Sequence, residues 1–130
     1  MIFIESKAFT RRLFQLTGDL ADEVLSGVQN DLLENPSRGD VVRGLGGIRK
    51  ERSANPGRGK GKRGGYRYLF LYLTHKQHIH LLLLLDKDEQ EDLTEEQRQL
   101  LRQLVVDIKS KKPKLRERIR HETKKGGAHI

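Results

Sequence analysis

The chain has no cysteine and no tryptophan, and only three prolines and one methionine in 130 residues. Without cysteine there are no disulfide staples and no thiolate metal sites, a usage that suits a reducing compartment, so a cytoplasmic protein is expected. Hydrophobic residues make up 35% of the chain and charged residues 34%. That is material for one modest core near the polar edge of what folds, and it excludes a multidomain enzyme. Long apolar runs are missing too. The longest, Ile79 to Leu85, is broken by His80 and falls far short of the roughly 20 residues a membrane helix needs, so no membrane partner is expected. The opening residues MIFIESK place Glu5 where a secretory signal would stay apolar, so no leader is expected. No internal repeat is visible.

What the chain does have is positive charge, unevenly placed. The formal net charge is +8. Residues 1–37 carry −3 and residues 68–108 carry −4, whereas 38–67 carry +8 and 109–130 carry +7. Two clustered basic blocks on an otherwise acidic chain point to a polyanion partner, because clustered charge attracts phosphates as interspersed charge does not. The terminal block reads equally well as a solubilising tail.

Met1 to Ile4 is short, apolar and β-branched and reads as a first strand. Ser6 can cap a helix whose apolar positions Phe9, Leu13, Phe14 and Leu16 recur until Gly18 ends it. Asp19 is expected to cap a second helix with the stripe Leu20, Val24, Leu25, Val28 and Leu32, closed by Asn35 and Pro36. From Val41 the period changes. Val41 and Val42, then Gly47 to Ser53, read as short strands, the second with Ile48, Lys50 and Arg52 on one face and Arg49, Glu51 and Ser53 on the other. Tyr66 to Leu73 and Ile79 to Leu85 read as an apolar hairpin at the centre of a sheet. Thr94 and Gln97 have capping-box spacing ahead of a last helix carrying Leu100, Leu101, Leu104, Val105 and Ile108. The order predicts one α+β domain over residues 1–108. Its antiparallel sheet carries an N-terminal helical hairpin and a C-terminal helix, and is covered mainly on one face, the other left free. Residues 109–130 follow as a basic C-terminal extension.

Between the strands, Ala54 to Gly65 reads ANPGRGKGKRGG, with five glycines and a proline, and is a long loop. Gly59 to Gly64 fits G-x-G-x-x-G by letter, but a dinucleotide site needs a helix after the motif and here a strand follows. A nucleotide-triphosphate loop is excluded by the missing G-K-[ST] ending. What remains is a backbone studded with cations, entered past Lys50 and Arg52 and left through Arg67, which can close around a phosphate chain.

RNA carries its own nucleophile in the 2′-hydroxyl. A site that cleaves it must align that oxygen with phosphorus, neutralise the phosphorane charge and shuttle two protons. Arginine's planar fork holds two phosphate oxygens, and an amine crowded by like charges gives up its proton more readily. Lys50, Arg52, Arg58, Lys60 and Arg67 provide such a set without a metal or other cofactor.

The run GLGGIRKERSANPGRGKGKRGGYRYLFLYL, followed by IHLLLLLDKDEQEDLTEEQRQLL, resembles the RelE/HigB group of bacterial type II toxins, within the RelE/ParE superfamily. There G-x-G-G-I-R-K-x-R, then G-R-G-K, then G-G-x-R recur. The resemblance spans roughly residues 2–108 and implies a RelE-like α+β fold. It implies the toxin of a toxin–antitoxin system, a metal-independent messenger RNA endonuclease (an mRNA interferase) that acts on the translating ribosome and inhibits translation. The implied partners are messenger RNA, the ribosome and a cognate antitoxin with a helix-turn-helix region, with DNA reached only through the antitoxin complex. It further implies that Arg67 stabilises the phosphate and that Lys50 and Arg52 contribute base and charge. Lys60, counted with the catalytic set, and Arg58 hold the RNA backbone, with Arg49, Lys62, Arg63 and Lys87 as further RNA-binding cations.

Two positions depart from that pattern. Ser53 stands where a tryptophan is common, and Leu85-Asp86 where a tyrosine is frequent, so the implied activity extends down to a weak one. Tyr66, Tyr68 and Tyr72 are candidates for base stacking, although on an alternating strand they read better as core. The alternative is a non-catalytic toxin of the same fold, such as a gyrase inhibitor, or a plain nucleic-acid-binding protein; such relatives are expected to lack the G-R-G-K and G-G-x-R run.

Two other clusters read as structural. His75, His78 and His80 lie close together, but no acidic residue falls among them, and polar positions in a hairpin explain them better than a metal site. Asp86, Asp88, Glu89, Glu91 and Asp92 lack the glycine and ligand spacing of a calcium loop and read as a solvated helix entry.

Overall fold

The structure, a computed structural model, describes residues 1–54, 65–87, 89 and 93–110, together with the backbone of 118–121. Its elements run β1 (Ile2–Glu5), α1 (Lys7–Thr17), α2 (Ala21–Glu34), β2 (Asp40–Val41), β3 (Arg49–Ser53), β4 (Tyr66–Leu73), β5 (His78–Asp86), α3 (Glu95–Lys109) and β6 (Arg118–His121). The strands form one sheet in the order β2-β3-β4-β5-β1-β6. Strands β2 to β5 make an antiparallel meander, and β6, from the basic extension, pairs antiparallel with β1. One junction differs from the expected antiparallel sheet: β1 lies parallel to β5. Nothing within a four-residue strand records the direction of a neighbour contributed more than seventy residues later.

Helix starts follow their side-chain chemistry at two of three places. The Ser6 hydroxyl accepts from the Phe9 amide at 3.0 Å and donates to the Leu82 carbonyl at 2.8 Å, so one residue caps α1 and pins it to the sheet. Thr94 and Gln97 form the full capping box of α3. Asp19, by contrast, does not cap α2. Gly18–Leu20 form a 3-10 turn that runs straight into the helix, whose N-cap is Leu20 with no side-chain bond. The Asp19 carboxylate therefore sits inside a helical turn rather than on the residue before it.

The sheet is covered on both faces. The helical hairpin packs on one, over a cluster that includes Phe3, Phe9, Leu13, Val28, Tyr68 and Phe70. On the other, Leu101 and Val105 of α3 pack over Leu45, Ile48, Leu69 and Leu83. The expected free face is thus a second core, and the reason lies in β4 and β5. Their apolar residues fall on both sides of the pleat, as in any strand buried from above and below. Leu82 is accommodated as one extra residue between the pairs Leu69–Leu83 and Phe70–Leu81, a bulge that lets both Leu82 and Leu83 join the α3 core. Tyr66 and Tyr68 lie in the hairpin core, as their alternation indicated.

Two glycines permit close backbone approaches at the β3 end. Gly39 has φ 82°, and a Cβ there would collide with the Lys50 carbonyl across the β2–β3 pair. A Cβ on Gly65 would collide with the Ser53 carbonyl, so the entry to β4 needs glycine. Arg12 of α1 donates to the Leu84 carbonyl at 3.1 Å and pairs with Glu89, tying the hairpin to the same end of β5.

Candidate functional site

Strand alternation and register assemble the site. Lys50 and Arg52 share a face of β3, where Lys50 lies opposite Leu69 and Arg52 opposite Arg67. Arg67 in turn lies opposite Leu85. Leu69 and Leu85 belong to the α3 core, so the three cations stand on the α3 side of the sheet, at the end from which residues 54–65 leave. Arg52 is exposed, and Lys50 and Arg67 are half-buried. Together with Asp40 and Glu51 they line an open hollow of about 230 Å³.

Two like charges directly opposite each other on neighbouring strands are destabilising. Among the described residues, none of Lys50, Arg52 and Arg67 forms an ion pair that would relieve the Arg52–Arg67 opposition. Such a row can receive an anion: each guanidinium fork is suited to two oxygens, and the ammonium adds a point charge beside them.

The opposite face of β3 is anchored. Arg38, in the segment after α2, lies 3.4 Å from Asp31 of α2 and 3.4 Å from Glu51 of β3. Glu51 also accepts from the Arg52 amide at 2.9 Å. Tyr68, opposite Glu51, is fully buried. Burial, then the carboxylates of Asp31 and Glu51, push its hydroxyl well above the ordinary phenol range, while Arg38 pulls the other way. Tyr68 is a protonated core residue, outside the chemistry of the hollow.

The fold brings together Lys50, Arg52 and Arg67. Arg49 points to the hairpin side of β3, where its guanidinium donates to the Gly39 carbonyl at 3.1 Å. It is held away from the three cations, because an adjacent strand residue must face the other way. Lys87 is exposed just beyond β5, at the same end of the sheet as the hollow. Arg58, Lys60, Lys62 and Arg63 lie outside the described residues. Asp40 is a member that sequence reading missed. Strand β2 covers Asp40–Val41 rather than Val41 and Val42, and so Asp40 becomes the cross-strand partner of Lys50. The glycine at position 39 marks the strand's start and was the available signal.

The histidines are remote from this end. His80 is buried, and its imidazole is pushed down to about 4 by burial, with smaller contributions from His78 and Lys76. Among the described residues no group of three His, Asp or Glu side chains is placed to hold a metal ion.

No protein-family model matches the chain. Two solved structures are similar to it. A double arginine-to-alanine mutant of the E. coli toxin RelE in the free state superposes with a TM-score of 0.48 at 15% identity, over 66% of this chain and 82% of that one. The isolated E. coli RelE toxin gives 0.49 at 14% identity, over 68% and 86%. Both likenesses concern the fold. The chain itself has the α+β architecture expected from its sequence, an N-terminal helical hairpin, a sheet and a C-terminal helix.

Proposed function

We propose that this chain is the toxin of a type II toxin–antitoxin system, and that it cleaves messenger RNA on the translating ribosome through the cationic hollow. The observation that carries this reading is the opposition of Arg52 and Arg67 across β3 and β4, with Lys50 on the same face of an open hollow. The motif spacing around these three residues and the names of the two fold neighbours support it further.

In this reading a phosphodiester sits in the hollow with its non-bridging oxygens toward Arg52 and Arg67. Both guanidiniums stabilise the charge that grows on the phosphorane. Lys50, once its ammonium has given a proton to solvent, takes the proton of the 2′-hydroxyl as that oxygen attacks phosphorus. The P–O5′ bond breaks and the leaving oxygen takes a proton from solvent water in the open hollow, which leaves a 2′,3′-cyclic phosphate and a 5′-hydroxyl. Lys60 and Arg58 hold the strand from the loop, and Lys87 adds charge beyond β5. The strand of RNA supplies its own nucleophile, so the protein's part is alignment and charge.

The partners in this reading are the ribosome and an antitoxin with a helix-turn-helix region, and the compartment is the cytoplasm. The test is an in vitro translation reaction, followed by mapping of messenger ends. The wild-type chain is expected to shorten the messenger, and Arg67→Ala to leave it whole. Messenger left equally intact by both proteins would remove the catalytic assignment.

A further inference from the structure

A second hollow, also of about 230 Å³, adjoins the first. The two share Asp40 and Lys50, and the second adds Arg43, Arg98, Val42 and Leu93. The fold builds this place deliberately from distant pieces. Leu45 is buried in the α3 core and holds the loop between β2 and β3 against the helix. From α3, Arg98 donates to the Arg43 carbonyl at 3.4 Å and Lys109 to the Gly46 carbonyl at 3.2 Å. One Arg98 bond leaves most of a five-donor guanidinium available. Arg43 is exposed, and among the described residues its side chain makes no hydrogen bond or ion pair.

The two hollows differ in chemistry. Among the described residues the first is lined only by residues with charged side chains, Asp40, Lys50, Glu51, Arg52 and Arg67. The second sets two guanidiniums beside aliphatic side chains. Aliphatic walls with a guanidinium plane suit an unstacked base, and guanidinium donors suit the phosphate attached to it.

Resting on the function proposed above, we infer that the second hollow is the seat of the neighbouring nucleotide of the same single-stranded RNA. Lys50 stands at the junction, and Arg43 and Arg98 hold the base and phosphate next to the one in the first hollow. Strand continuity then runs from the loop end of β3, past Lys50, to the first turns of α3. The chain recognises a stretch of strand rather than one phosphate, and Arg43 and Arg98 set how much of it is held.

The test is binding of fluorescein-labelled, mixed-sequence RNA of two and of six nucleotides, with 2′-O-methyl sugars that block cleavage. Wild-type protein is expected to bind the hexamer about tenfold or more tightly than the dinucleotide. Arg43→Ala/Arg98→Ala should lose most of that ratio while keeping the dinucleotide affinity, which also shows that the variant is folded. Arg43→Glu alone, which leaves the Arg98 contact to the loop backbone in place, should lower the ratio as well. Wild-type hexamer binding in both variants overturns the second seat and leaves the first hollow untouched. Dinucleotide affinity unchanged in Arg67→Ala instead overturns the parent reading, and no binding of either length by the wild type overturns both.

Discussion

The two sides of β3 are built to different ends. On the hairpin side, Arg49 donates to a backbone carbonyl, Glu51 faces Arg38, and Ser53 is buried. On the α3 side, Lys50 and Arg52 stand with Arg67 as a row of cations that forms no ion pair among the described residues. One five-residue strand therefore carries a face that holds the fold and a face that costs stability. In the proposed function that cost is the counterpart of binding, because a bound anion would relieve it.

Substitutions on the two sides should then separate activity from stability. The largest effect is expected at Lys50. Removing the proposed proton acceptor in Lys50→Ala should slow the proposed ribosome-dependent messenger cleavage by about 10²-fold or more, with folding stability within about 1 kcal/mol of wild type. Rates from quenched time courses and urea midpoints measure the two quantities, and a Lys50→Ala protein that cleaves at the wild-type rate would dissolve the distinction between the faces. Next is Arg38→Ala, which removes the guanidinium shared by Asp31 and Glu51 at a mostly buried site and should cost about 2 kcal/mol of stability. Its residual folded protein should still bind RNA.

His80 sharpens the comparison from the far end of the sheet. Its imidazole is held down to about 4, against about 6.5 in an unfolded chain. Below pH 6.5 the unfolded state takes up a proton that the folded state refuses, so stability is lost as pH falls from 6.5 toward 4, by on the order of 1–2 kcal/mol. Thermal melts across that window should show the loss in wild type and a shallower one in His80→Gln; identical pH profiles would remove His80 as its source. The smallest effect is a gain. Arg52→Gln relieves the opposition with Arg67 and should raise stability by about 0.5 kcal/mol.

Local chemistry was legible in the sequence, and relations between distant pieces were not. Ser6, Thr94 and Gln97 act through neighbours three residues away, and β4 keeps its expected bounds because turn residues flank a run whose one charged residue is Arg67. The face shared by Lys50 and Arg52 follows from a two-residue period. Asp19 failed as a cap because the chain between the helices stays helical, a choice made by packing of the hairpin rather than by the residue. Periodicity also shows that α3 has an apolar stripe without saying which side of the sheet receives it. Asp40 and Arg98 come to the site only through that choice and through the β2 register, and no spacing in the sequence records either.

The most direct measurement takes Arg52→Gln/Arg67→Gln through both assays, end mapping of messenger in a translation reaction and urea unfolding of the same preparation. The account expects intact messenger from a protein whose unfolding midpoint equals or exceeds that of the wild type. Messenger cleaved at the wild-type rate, or cleavage lost together with the fold, would contradict it.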